Sequence, residues 1–298
     1  MRVGIIDIGS NSVLLLIAEQ AGSGWRVLAD QARITRLGEG FGNARLLQPQ
    51  AIGRTLDAVR AYLEVCDTMQ VAYRIAFATA VVREARNPEA LLEPLRALAP
   101  DMRVRVLSEA EEAELSFLSV ACDPLFRQAG TLAVVDVGGG SVEVGIGRES
   151  LAWSRSFPEG ALRLRERFGE NPDAVRAHLK TALTPLSAAP PVQSVVSIGG
   201  TGVNLAMLAG EHSVFNPQLV HGATLTHAQL GALTERLFAL DESQRRALPG
   251  IEPDRAPILP LGALILQAVL EALQHTALRV SVRGARYGVL ERLERFIG

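Results

Sequence analysis

The chain has 298 residues, 48% hydrophobic and 21% charged, with a formal net charge of −2. That balance predicts a packed globular protein of two ordinary domains and excludes a strong general attraction to nucleic acid or membranes. Two cysteines, Cys66 and Cys122, form no disulfide framework and lack metal spacing, which predicts buried thiols in a reducing, cytoplasmic setting.

The first apolar run, residues 3–8, contains Asp7 and no small-residue cleavage site follows, so it does not read as a signal peptide. Residues 3–12 read V-G-I-I-D-I-G-S-N-S, a buried strand ending in an acid and a small-residue turn, and Val13–Ala18 returns as a second strand. Trp25–Leu37 predicts a third strand, and a glycine-rich loop runs from Leu37 to Asn43. Gln48–Met69 places Ile52, Leu56, Val59, Leu63 and Cys66 at helical spacing. Val71–Thr79 reads as a strand leading to Arg83, and Asn87-Pro88 reads as the cap and first position of another helix. A short strand at Val104–Leu107 precedes Ser108-Glu-Ala-Glu111, a capping box opening a helix towards Val120.

The second half repeats the first. Residues 132–141 read L-A-V-V-D-V-G-G-G-S, pairing Asp136 with Asp7, Gly138 with Gly9 and Ser141 with Ser12. Val142–Gly147 returns as a strand, Trp153–Ser156 follows, and helices are predicted over 160–168 and 172–186. Ser194–Ile198 reads as a strand running into Gly199-Gly-Thr-Gly202 and a helix. Helices over 227–240, 244–248 and 260–275 precede a last strand, Leu278–Val282, and a closing helix. The longest apolar stretch, Ala256–Leu273, is interrupted by Pro260, Gly262, Gln267 and Glu271 and reads as a core helix, not a membrane span. Both halves are mixed α/β, and the break at residues 121–130 predicts domains at 1–122 and 123–298.

The chemistry concentrates in the turns. Small residues at 9–12 and 138–141 let backbone N–H groups converge on an anion, and both turns lead into strands, unlike a P-loop or a Rossmann turn. A third small-residue turn, 199–202, opens a helix whose dipole favours phosphate. Asp7, Asp136 and Glu143 are carboxylates in apolar strands, where Mg²⁺ beside a phosphate resolves the cost of burial. The capping box uses Glu111, and Glu112 lies about 100° further round the helix, free for another task. Arg83 follows a strand and can fork onto phosphate oxygens. The five histidines show no ligand spacing.

D-I-G-S-N-S, A-T-A-V-V-R-E-A-R-N, L-S-E-A-E-E-A, D-V-G-G-G-S-V-E and G-G-T-G-V-N-L-A occur in an order that resembles the exopolyphosphatase/guanosine pentaphosphate phosphohydrolase (Ppx/GppA) family over essentially the whole chain. The resemblance implies two ribonuclease-H-like domains of the actin/sugar-kinase/Hsp70 superfamily around an interdomain cleft, with the closing helix free to pack back on the first domain. It implies Glu112 as the base that activates water, Asp136 and Glu143 as magnesium-associated carboxylates (with Asp7 kept beside them), and Mg²⁺ or Mn²⁺ as cofactor. Ser10, Asn11, Arg83, Gly138, Gly139, Gly140 and Ser141 are implied to hold the terminal phosphates. Glu109 stands where the family often has Gly, and the helical HD-type domain of longer members is expected to be absent.

The expected activity is hydrolysis of the terminal phosphoanhydride of inorganic polyphosphate. Hydrolysis of guanosine pentaphosphate is the alternative, and a non-hydrolytic binder of polyphosphate or ppGpp and a small-molecule kinase are the other classes. No nucleic-acid or membrane partner is expected, and a homodimer is left open.

Overall fold

Each half is built on a hairpin whose strands alternate apolar side chains onto two faces. The structure, a computed structural model, describes every residue except 23, 43 and 298; Asn43, the end of the expected glycine-rich loop, therefore lies outside the described residues. Along the chain come β1 (Arg2–Ile8), β2 (Ser12–Ala21), β3 (Gly24–Ile34), α1 (Pro49–Thr68), β4 (Tyr73–Ala78), α2 (Ala80–Arg83), α3 (Glu89–Leu98), β5 (Arg103–Val106) and α4 (Glu109–Ala121). The second series is β6 (Leu132–Val137), β7 (Val142–Gly147), β8 (Leu151–Phe157), α5 (Ala161–Phe168), α6 (Pro172–Ala182), a 3-10 turn at Thr184–Ala188, β9 (Ser194–Ile198), α7 (Gly199–Ala209), α8 (Pro217–Val220), β10 (Thr224–Thr226), α9 (His227–Ala239), α10 (Glu242–Arg246), α11 (Leu259–Ala272) and β11 (Ala277–Val280). The chain closes with α12 (Ala285–Glu291) and α13 (Glu294–Ile297).

The first sheet has the order β3-β2-β1-β4-β5, with β1 antiparallel to β2 and parallel to β4. The second has the order β10-β11-β9-β6-β7-β8, with β6 antiparallel to β7 and parallel to β9. Reading β6 for β1, β7 for β2, β8 for β3, β9 for β4 and β11 for β5, the two topologies are the same, with β10 added at one edge. The hairpin repeat seen in the sequence is thus a repeat of a whole sheet.

Packing divides the chain into two units: Met1–Leu115 with the residues from Ala285 onward, and Ser116–Gly284. The first division falls inside α4, earlier than the 122/123 boundary expected above. Its cause is apolar: Phe117, Val120 and Ala121 bury against Phe126, Leu132, Val134, Val196 and Ile198. The closing residues join the first unit because Val289, Leu290, Leu293 and Phe296 bury against Val3, Ile5, Leu16 and Ala18. Asp30 fixes that join, accepting from Arg286 Nη2 at 2.8 and 3.0 Å and from the Tyr287 hydroxyl at 2.7 Å.

In the first unit Ile6, Ile8, Leu15 and Ile17 face α1, which presents Ile52, Val59, Tyr62, Leu63 and Cys66 from one side. Each such side chain contributes about 1.5–3 kcal/mol. In the second unit α11 is buried all round over Leu259–Leu266, as expected for the central helix of a core, and it packs on the strand face of Val135 and Val144. Among the described residues no helix is long and apolar enough to cross a membrane.

Several local expectations change. Asn87 does not cap α3; its side chain closes on Leu47, accepting from the N–H at 2.9 Å and donating to the carbonyl at 3.1 Å, and Pro88 precedes the helix instead. The helix expected to reach residue 186 ends at Ala182, because Pro185 lacks the N–H that would continue it. Gly199-Gly-Thr-Gly202 forms the first turn of α7 itself. The short elements α8 and β10 carry too few residues to show a period.

Candidate active site

Strand parity decides where the acids of the first unit go. Asp7 alternates onto the same face of β1 as Val3 and Ile5, the face covered by α4 and α12. Desolvation there pushes Asp7 up to about 7; the Arg286 guanidinium opposes the rise and the Glu112 carboxylate adds to it. Asp7 and Glu112 therefore share one electrostatic environment.

Glu112 sits in the first turn of α4. The Ser108–Glu111 capping box forms as expected: Ser108 N–H donates to Glu111 Oε2 at 2.9 Å and Glu111 N–H donates to Ser108 Oγ at 3.2 Å. With Glu111 so occupied, Glu112 turns to Arg83, whose Nη1 donates to Glu112 Oε2 at 2.8 Å and to the Leu107 carbonyl at 2.9 Å. Burial raises the Glu112 carboxyl above the ordinary glutamate value; the Arg83 hydrogen bond and charge offset part of that rise, and Glu109 adds slightly to it. The result is a half-buried carboxylate held in one orientation by a guanidinium.

The first turn follows β1, the parallel neighbour of β4, whose own end leads into α2 and Arg83. Gly9 N–H donates to the Ser12 carbonyl at 3.0 Å, closing the turn. The carbonyls of Ser10 and Asn11 accept from Gly38, Thr35 and Arg36, so they point into the protein. The N–H groups of Ser10 and Asn11 have no partner among the described residues, and Ser10 is exposed.

In the second unit the same turn recurs, with Gly138 N–H donating to the Ser141 carbonyl at 2.9 Å. Here α5 takes the carbonyls: Ala161 N–H donates to Gly138 O at 3.0 Å, and Leu162 and Arg163 N–H donate to Gly139 O at 2.9 and 3.1 Å. The N–H groups of Gly139, Gly140 and Ser141 are left without a partner among the described residues. Consecutive unpaired N–H groups of this kind make an anion-binding concavity.

Asp136 and Glu143 lie directly opposite one another in the β6–β7 ladder, where the first unit pairs Asp7 with Leu14. Cross-strand partners share a face, with Cβ atoms about 5 Å apart, and like charges so placed repel. Ser156 Oγ donates to Glu143 Oε1 at 3.0 Å and orients it. Gly199, at φ +77°, leaves room for the other acid, since a Cβ there would fall 2.4 Å from Asp136 Oδ1. Two hard oxygen donors forced together beside an anion turn suit a divalent cation. Among the described residues no group of three or more His, Cys, Asp or Glu side chains is arranged so that it could hold a metal ion by itself.

All the residues singled out in the sequence thus fall into two sets. Asp7, Ser10, Asn11, Arg83 and Glu112 belong to the first unit, and Asp136, Gly138–Ser141 and Glu143 to the second. Three residues had no signal strong enough to find them. Gly160 packs on the second turn, Arg255 lies against the Gly200 backbone at the start of α7, and Asn204 bridges the Gly200 carbonyl and the Glu252 N–H.

The sequence pattern of the Ppx/GppA phosphatase family matches residues 16–295. The chain belongs to the Ppx/GppA phosphatase family. Among its relatives, exopolyphosphatase 2 of Mycobacterium tuberculosis is 33% identical, over 93% of this chain and 92% of its own. Exopolyphosphatase 1 of Mycobacterium leprae is 30% identical, over 98% of this chain and 89% of its own. Solved structures agree. The Ppx/GppA family member of Aquifex aeolicus superposes with a TM-score of 0.86 at 30% identity, covering 100% of this chain and 99% of that one. An exopolyphosphatase of Cytophaga hutchinsonii gives 0.90 at 25% identity, with the same coverage. A two-sheet Ppx/GppA phosphatase fold therefore spans the chain.

Burial of Asp7 has a consequence for stability. Its carboxyl is raised in the folded chain from the ordinary 3.8 to about 7, so its contribution to folding is present in full below the ordinary value and is lost as pH rises through about 7. In chelator, thermal melts of Asp7→Asn should gain on the parent as pH goes from 5 to 8. A pH-independent difference contradicts this placement.

Proposed function

We propose that this Ppx/GppA phosphatase is an exopolyphosphatase, releasing orthophosphate from the end of an inorganic polyphosphate chain. The observation that carries the reading is the Arg83–Glu112 pair, a desolvated carboxylate held ready to accept a proton. Polyphosphate as substrate is supported by the exopolyphosphatases to which the chain is similar.

Glu112 takes a proton from a water as it attacks the terminal phosphorus in line with the leaving oxygen. Arg83 keeps the Glu112 carboxylate oriented and lowers the cost of its charge before the proton arrives. The free N–H groups of the first turn, with the side chains of Ser10 and Asn11, take phosphoryl oxygens of the chain end, and the second unit's own turn offers the free N–H groups of Gly139, Gly140 and Ser141 to phosphate oxygens. Asp136 and Glu143 would hold a divalent cation, Mg²⁺ or Mn²⁺, which when bound offsets phosphate charge. Asp7 is the carboxylate on the first unit that a cation would keep ionised at neutral pH.

The test is a side-by-side measurement of orthophosphate release from long polyphosphate, tripolyphosphate and guanosine pentaphosphate. Release from polyphosphate is expected to dominate; release from the nucleotide alone contradicts the reading. The pH profile gives a second check. Because Glu112 is raised above an ordinary glutamate, the acid limb of kcat/KM should lie above that value, and Arg83→Met should move the limb to higher pH. An acid limb unmoved by Arg83→Met removes Glu112 from the role of base.

A further inference from the structure

One loop of the first unit carries arginines that the proposed reaction leaves without a task. Residues 35–47 run from β3 towards α1, and both ends are fastened. At one end Asn11 O accepts from Thr35 and Arg36 N–H at 3.0 and 2.9 Å, and Ser10 O accepts from Gly38 N–H at 2.8 Å. At the other, Arg86 N–H donates to Arg45 O at 2.8 Å, and the Asn87 amide closes on Leu47 in both directions. The loop thus ties the turn bearing Ser10 and Asn11 to the segment that follows Arg83.

Its backbone is costly for the residues it uses. Of the non-glycine residues with positive φ among the described residues, Gln70, Glu211 and Gln274 follow α1, α7 and α11 closely, where left-handed caps are common. The others are Arg36 at φ +49° and Arg45 at φ +52°, both on this loop. Such a conformation costs an ordinary side chain about 1 kcal/mol, which Gly would avoid. A strained position filled by arginine points to a use for the side chain.

Arg45 and Arg86 are exposed, and neither side chain has an ion-pair or hydrogen-bond partner among the described residues. Their basic neighbours are committed: Arg54 Nη2 donates to Glu39 Oε2 and Arg54 Nε to Thr35 O, while Arg83 holds Glu112. The acid of the loop, Glu39, is therefore taken, and Glu84, two residues before Arg86, pairs with neither arginine.

We propose that Arg45 and Arg86 form a second anion subsite, which takes phosphates further along a linear polyanion whose end is held at the first turn. The ligand class is a phosphate chain longer than a triphosphate. The inference rests on the reading of the first turn as the place where the chain end is held, and it adds a source of preference for long chains.

The test is equilibrium binding of long-chain polyphosphate and of tripolyphosphate to the full chain in a Glu112→Gln background, where the ligands are not consumed. Arg45→Gly suits φ +52°, so a melt no lower than the parent's is expected, and Arg86→Gln keeps the N–H bonded to Arg45 O. The double variant should lose about tenfold in long-chain affinity, the size of two exposed ion contacts, and its preference for the long chain should fall by the same factor. Long-chain affinity within about twofold of the background, or an equal loss for both ligands, overturns the subsite. Orthophosphate release from the parent is measured separately. If it is absent while the long-chain loss is seen, the proposed activity fails and the subsite stands.

Discussion

Glu112→Gln is expected to lower phosphate release from polyphosphate by about a thousandfold, with little change in KM and an unchanged melting curve. Glutamine keeps an oxygen that can accept from Arg83 Nη1, so the hydrogen bond now spanning 2.8 Å survives and Arg83 is not stranded. What is lost is the ability to take a proton from water. Removing the arginine instead is a different experiment: it leaves a half-buried carboxylate without its counter-charge, which costs stability as well as rate. Steady-state kinetics on both variants separates the two roles. A Glu112→Gln enzyme that retains more than about a tenth of parental kcat contradicts the assignment of Glu112 as base.

Gly160→Ala is the second large effect, and its cause is backbone geometry. A Cβ at Gly160 would stand 2.3 Å from Ser141 N and 2.4 Å from Gly139 C and O. These are backbone atoms of the second turn, so the clash cannot be relieved by turning a side chain. Either the turn moves or the start of α5 withdraws, and then Ala161, Leu162 and Arg163 release the carbonyls they now hold. In both cases the N–H groups of Gly139 and Gly140 lose their common aim. The expected result is a fall in kcat/KM of about a hundredfold, with a stability loss of about 1–3 kcal/mol typical of overpacking. Gly53→Ala is the control. Gly53 lies exposed within α1, and a Cβ there would meet nothing within 4 Å, so alanine should add about 0.5–1 kcal/mol to stability. Equal activity in Gly160→Ala and Gly53→Ala would show that α5 does not set the turn.

The hairpins are legible in the sequence because buried strands announce themselves as apolar runs, and an acid followed by small residues marks each turn. Their register comes from the structure: Glu143 falls opposite Asp136 while Leu14 falls opposite Asp7. The two turns look alike in sequence, yet only the second places a pair of carboxylates on one face. The capping box at Ser108 also reads correctly, and it frees Glu112 from a purely local explanation.

Long-range pairings are not legible. Arg83 and Glu112 meet across 29 positions, a contact set by where α2 and α4 land on the sheet and not by any local pattern. Asn87 resembles a helix cap because Asn before Pro often is one. Tertiary structure uses it otherwise, to satisfy both polar groups of the Leu47 backbone. Gly160 sits in a predicted helix start, and nothing in its neighbours shows that a second backbone approaches it. The unit boundary shifts for a similar reason: Asp123-Pro124 breaks the helical pattern, but Phe117 and Val120 already belong to the second core.

The most direct test of the central claim is hydrolysis of long-chain polyphosphate in ¹⁸O-enriched water, with the label followed in both products. Water activated by Glu112 and attacking the terminal phosphorus predicts one solvent oxygen in each released orthophosphate and none in the shortened chain. Label in the shortened chain, or chain shortening without orthophosphate release, contradicts it.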